Sequence, residues 1–208
     1  MDKKGKFIVF EGIDGSGKST QIRFLADKLK EAGIPYEITA EPSEGPIGVM
    51  IRQILTGECK MDNRVIAALF AADRLDHILN EEDGLLHKIE NGTTVICDRY
   101  YFSSYAYNGV DMPMEWVISA NSQSSRLLKP TVNIFIDLDP DTALERIARN
   151  RQRTELFEKK SRLEKVRENY FEVFEKMQDE MVVIIDGNQT PEAMAEEIWQ
   201  KIKGYLCE

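Results

Sequence analysis

The chain has 208 residues, 42% of them hydrophobic, with a formal net charge of -9. That length supports one domain, residues 1-208, with a sizeable core, and the acidic balance argues against a nonspecific nucleic-acid binder, which needs a basic footprint. No long apolar stretch suits a membrane span, and Cys59, Cys97 and Cys207 lack the number and spacing of a disulfide framework or a zinc site.

The N-terminal "MDKKGKFIVFEG" runs into a strand without a secretory pattern, so a soluble cytoplasmic protein is expected. The first apolar run, "KFIVFE", lacks alternation, as strands do when a parallel sheet is covered on both faces. Directly after it, Gly12, Ile13, Asp14, Gly15, Ser16, Gly17, Lys18 and Ser19 match the G-x-x-x-x-G-K-[ST] pattern, with Thr20 in the opening turn of a helix. Glycines there let backbone N-H groups turn toward a β-phosphate, and the helix N-terminus adds positive potential. Lys18 would reach the β- and γ-phosphates, and Ser19 would hold Mg²⁺. The bland alternative is a glycine-rich turn that only closes the strand onto the helix. The loop itself points to a nucleoside triphosphate without separating kinase, GTPase and motor, although the chain lacks the guanine-reading N-K-x-D.

Helical spacing at Ile22, Leu25 and Leu29 follows, then the more polar strand "YEITAE". In "RVIAALFAADRLDHIL", Val65, Leu69, Ala72, Leu75 and Leu79 form one apolar stripe, whereas Phe70, Arg74 and His77 share the opposite face. An aromatic ring one turn from a guanidinium suits a nucleobase, stacked and read at a carbonyl edge. The same pattern also fits a helix buried on both sides, with Phe70 in the core and Arg74 in a salt bridge. "TTVICD" is the next strand. Asp98 at its end resembles a carboxylate that acts on Mg²⁺, or alternatively an N-cap of the next helix.

Arg99 comes next, at the same edge of the sheet as Asp14. A carboxylate inside a phosphate cradle is repelled unless a cation or hydroxyl compensates it, and Arg99 could bridge Asp14 to a phosphate of a second substrate. Otherwise Asp14 caps the "DG" turn. "VNIFID" and "MVVIID" are further strands, with a helix between them carrying Leu163, Val166, Tyr170, Val173 and Met177, and a last helix starting at Thr190 and Pro191. Strands alternating with helices give an α/β fold with a five-stranded parallel sheet and right-handed crossovers. Ligands of such sheets sit beyond the carboxyl ends of the strands, where Glu11, Glu41, Asp98 and Asp137 fall.

The chain resembles thymidylate kinases through "FEGIDGSGKST", "EPSEGPIG", "LFAADR", "DRYYFSSYAY", "MEWVISAN", "LKPTVNIFIDLDP" and "RENYFEVF", motifs in order over nearly the whole length. The resemblance implies the P-loop NTPase fold, a homodimer, and transfer of the γ-phosphate of Mg-ATP to dTMP, giving dTDP for dTTP synthesis. It implies that Phe70 stacks on thymine, Arg74 bonds its carbonyl and Arg99 grips the acceptor phosphate. Asp14 would meet the 3′-hydroxyl or Arg99, while Ser104 and Tyr107 would contact base and sugar, Tyr107 excluding a ribose 2′-hydroxyl.

Residues 146-167 hold nine Lys or Arg against three Glu. This segment reads either as a solvated helix or as a basic lid, centred on about 149-160, whose arginines close over the triphosphate. The phosphate loop supplies no cation besides Lys18, so the lid must, through Arg149, Arg151 or Arg153; Leu156 stands where many relatives have a second arginine. Ala40, Ser43 and Glu44 likewise lack an arginine many relatives carry, leaving Arg99 and Arg52 to hold the acceptor phosphate. That departure motivates one rival, a deoxynucleoside kinase with Glu41 as base; a rival of a different class is a nucleotide-binding module without turnover.

Overall fold

In the computed structural model the described residues are 4-148 and 156-206, with the side chains of 148 and 156-159 excepted. In chain order the elements are β1 (Phe7–Glu11), α1 (Lys18–Glu31), β2 (Tyr36–Ala40), α2 (Pro46–Leu55), α3 (Asn63–Leu79), α4 (Leu85–Glu90) and β3 (Thr94–Asp98). They continue with α5 (Tyr101–Asn108), α6 (Met114–Ala120), α7 (Ser122–Leu127), β4 (Val132–Asp137), α8 (Pro140–Ala148), α9 (Leu156–Lys176), β5 (Val182–Asp186) and α10 (Pro191–Leu206). The strands pair in parallel in the order β2-β3-β1-β4-β5. All five expected strands are present, and the P-loop NTPase arrangement follows from β1, its loop and α1.

β1, β3 and β4 occupy the middle and are almost wholly buried, which is why their runs show no alternation. β2 lies at an edge and is half exposed, which explains its more polar composition. One core packs α1 and α10 against the sheet through Ile22, Leu25, Leu29, Ile198 and Ile202. The other packs α5 and α9 against the opposite face through Phe102, Tyr105, Val166, Tyr170 and Val173. Helices therefore cover both faces, and among the described residues no helix is long and apolar enough to cross a membrane.

The apolar stripe of α3 is not wholly buried: Val65 and Leu79 are exposed, while Ala67, Ala71, Arg74 and Ile78 are buried. The helix turns its guanidinium inward because buried carboxylate and amide partners are there to receive it. Nor does every carboxylate at a strand end face a ligand. Glu11 is fully buried and accepts from Tyr100 N at 2.9 Å, Ser103 Oγ at 2.5 Å and Tyr170 Oη at 2.9 Å. Burial pushes its pKa up against these hydrogen bonds, and it ties β1, α5 and α9 together beneath the site. Asp137 is taken by a bidentate pair with Arg167 at 2.6 and 2.8 Å.

Candidate functional site

The loop after β1 wraps the start of α1. Gly17 caps that helix at φ 101°, and Gly15 sits at φ 82° where an added Cβ would meet the Ala143 carbonyl oxygen at 2.7 Å, so glycine is required at both. Lys18 Nζ folds back to donate to the carbonyls of Gly12 and Ile13, each at 3.2 Å. Ser19 Oγ donates to Asp98 Oδ2 at 3.3 Å, while Asp98 Oδ1 is buried without a hydrogen-bond partner. A hydroxyl beside a carboxylate with an uncommitted oxygen is the hard-oxygen donor set that suits Mg²⁺. Asp98 does not cap the next helix, because α5 begins at Tyr101 without a side-chain cap.

Arg99 is the non-glycine residue with positive φ among the described residues, at 74°, and its N-H donates to Phe10 O at 2.9 Å. Such a conformation persists only where the surroundings over-determine it. The surroundings here are explicit. Nη1 donates to Gly12 O and Ser103 Oγ, both at 3.1 Å; Nη2 donates to Asp14 Oδ1 at 2.6 Å and to Tyr107 Oη at 3.1 Å. The guanidinium also lies 4.8 Å from the Tyr107 ring centre. Asp14 is thus paired with Arg99 across the sheet top rather than capping its own turn.

Arg74 is enclosed. Its Nε donates to Glu41 Oε2 at 2.7 Å, Nη2 approaches the same oxygen at 2.6 Å, and Nη1 donates to Ser104 Oγ at 3.1 Å and to Asn121 Oδ1. One Nη2 hydrogen is left for a ligand, since a guanidinium has five. Glu41, bonded also toward His77 Nδ1 at 3.4 Å, is held as the counterion of Arg74 rather than poised over a hydroxyl. Arg52 does not reach the site: it donates to Pro42 O, Ser43 O and Glu44.

Two cavities converge here. One, about 390 Å³, is lined among others by Asp14, Phe70, Arg74, Arg99, Ser104 and Tyr107. The other, about 530 Å³, is lined by Gly15, Gly17, Lys18, Ser19, Thr20 and Asp98. Asp14, Glu41 and Arg99 line both. Of the expected residues, Gly12, Ile13 and Ser16 are buried in the loop framework and the rest, lid apart, come to one of these walls. Arg149, Arg151 and Arg153 lie outside the described residues. The residues missed in the sequence are Asn121, which orients Arg74, and the pair Asp111 and Arg162 at the cavity mouth. Only the motif "MEWVISAN" hinted at the first, and nothing local linked the other two.

Burial first, then the nearby Arg99 charge, pushes the Lys18 pKa from an ordinary 10.5 down to about 8. Between those values the unfolded chain binds more protons than the folded one, so stability rises with pH across that window. Below it the buried ammonium is a standing cost. Lys18→Met is therefore expected to be the more stable protein at pH 7, by on the order of 1 to 3 kcal/mol. Urea midpoints from pH 7 to 10.5 check this; an identical pH profile in both proteins contradicts it.

A family model described as thymidylate kinase matches residues 10–198. A probable thymidylate kinase of Methanocaldococcus jannaschii is 40% identical over 202 residues, 96% of this chain and 95% of that protein. The thymidylate kinase of Symbiobacterium thermophilum is 36% identical over 206 residues, 96% of this chain and 94% of that protein. That of Leptospira borgpetersenii is 35% identical over 196 residues, 94% and 92%. With the phosphate loop, the paired arginines and these matches together, the chain belongs to the thymidylate kinase family.

Proposed function

We propose that the protein transfers the γ-phosphoryl group of Mg-ATP to dTMP, giving ADP and dTDP. The observation that carries this reading is the shared wall of the two cavities: Asp14 and Arg99 border both the phosphate loop and the pocket ending at Phe70 and Arg74. A donor in one and an acceptor in the other would meet at that wall, as in-line transfer requires.

In this reading the loop from Gly12 to Thr20 holds the donor, with Lys18 leaving its carbonyl partners for the β- and γ-phosphates. Ser19 and Asp98 would hold Mg²⁺, which when bound neutralises phosphate charge. Phe70 stacks on the base, and the single uncommitted N-H of Arg74 donates to a base carbonyl. Cytosine presents an amino group at that edge, so the fixed donor favours thymine or uracil. Ser104 and Tyr107 complete the base and sugar walls. Arg99 aligns the acceptor phosphate, which needs no general base because it is already a nucleophilic oxyanion. Arg151 and Arg153 complete the charge neutralisation from the lid. The Glu41 base reading loses support from its engagement with Arg74. A homodimer accompanies the proposal, supported by the exposed apolar side chains Val49, Met50, Val65 and Leu79 on α2 and α3.

ADP release should be supported by dTMP and not by thymidine, and activity on thymidine alone would refute the assignment. Arg99→Ala should lower kcat/KM for dTMP on the order of a hundredfold or more with ATP affinity nearly intact, because it removes the cation at the wall between the two cavities. Lys18→Ala should depress turnover with every acceptor. Sedimentation at micromolar concentration should give twice the chain mass, and Val65→Glu should shift it toward one; a monomer in the parent protein would remove the dimer.

A further inference from the structure

Three arginines line the acceptor cavity, and each is matched to one carboxylate that also lines it: Arg74 with Glu41, Arg99 with Asp14, Arg162 with Asp111. Among the described lining residues the cavity is therefore charge-balanced. A dianionic phosphate monoester brings two charges into it, so at least one arginine must exchange its carboxylate for the ligand. The three pairs differ in what such an exchange costs.

Arg74 and Glu41 are sealed, with side chains 1% and 2% exposed, and separating them would strand a buried charge. Both terminal nitrogens of Arg99 are already committed to four acceptors, one of them the Gly12 carbonyl inside the phosphate loop. Arg162 is the accessible member. It donates from Nη1 and Nη2 to the two oxygens of Asp111 at 3.2 and 2.8 Å, with side chains 49% and 25% exposed. An exposed ion pair contributes little and re-pairs readily. The Asp111 carboxylate raises the Arg162 pKa above its ordinary value against the opposing effect of burial. Tyr107, which lines the same cavity as Arg162, accepts from Arg99 through its hydroxyl.

We propose that Arg162 exchanges Asp111 for the phosphate of the acceptor nucleotide and, with Arg99, forms the second cation that holds it. This rests on the monophosphate reading of the cavity, and it makes Arg162 a determinant of phosphorylated over unphosphorylated nucleosides. Asp111 holds the guanidinium at the mouth until the phosphate arrives.

The test is calorimetric binding of dTMP and of thymidine to the parent protein, Arg162→Met and Asp111→Asn, alongside turnover with ATP. Arg162→Met should weaken dTMP roughly tenfold or more, as loss of a charged hydrogen bond does, while thymidine affinity stays within about twofold. Arg162→Lys should recover part of the dTMP affinity, and Asp111→Asn should not weaken dTMP. Unchanged dTMP affinity in Arg162→Met overturns the proposal. So does equal weakening of thymidine, or a loss in Asp111→Asn that matches Arg162→Met, either of which would make the pair a strut. Parent protein that binds dTMP without turning it over would overturn the kinase reading and leave this one standing.

Discussion

The contact between Arg99 and Asp14 is the constraint on which the site depends. It joins the end of β3 to the loop that follows β1, and those two segments are neighbours only because β1 and β3 pair in parallel. The same guanidinium donates to Gly12 O, so one side chain senses both the phosphate loop and the adjoining cavity. The strained backbone at position 99 is tolerated because Phe10 O, Ser103 and Tyr107 fix the residue from several sides. A negative charge within a phosphate cradle, unfavourable in isolation, becomes the anchor of a cation that borders both cavities.

The same logic recurs at each strand end. Parallel strands deliver carboxylates to one rim, and the fold gives each a different partner. Glu11 is buried under four hydroxyl and amide donors and secures α5 and α9. Glu41 immobilises Arg74, Asp137 takes Arg167, and Asp98 keeps an oxygen uncommitted beside Ser19. Identical chemistry thus serves as strut, counterion and clamp or keeps an oxygen free, and only burial and neighbours separate these outcomes.

Much of this was legible in the chain. Four of the five strands announced themselves through uninterrupted apolar runs, the edge strand β2 being more polar, and the phosphate loop through glycines placed between strand and helix. Arg99 was accessible too, because charge repulsion at Asp14 demanded a cation at the same rim. Helix α3 was harder. Its apolar stripe suited a subunit contact or the sheet alike, yet burial followed hydrogen-bond partners rather than hydrophobicity, and Arg74 went inside. Asn121 lies 47 positions from Arg74, and Asp111 lies 51 from Arg162. No local period connects such residues, and only packing of α9 beside α5 brings the latter pair to one mouth.

The account is tested most directly by a crystal structure with dTMP and ADP bound. It predicts the monophosphate in contact with Arg99, between that residue and the phosphate loop, with the thymine ring stacked on Phe70 and one carbonyl facing Arg74. A monophosphate bound remote from Arg99, or a ring placed away from Phe70, would contradict it.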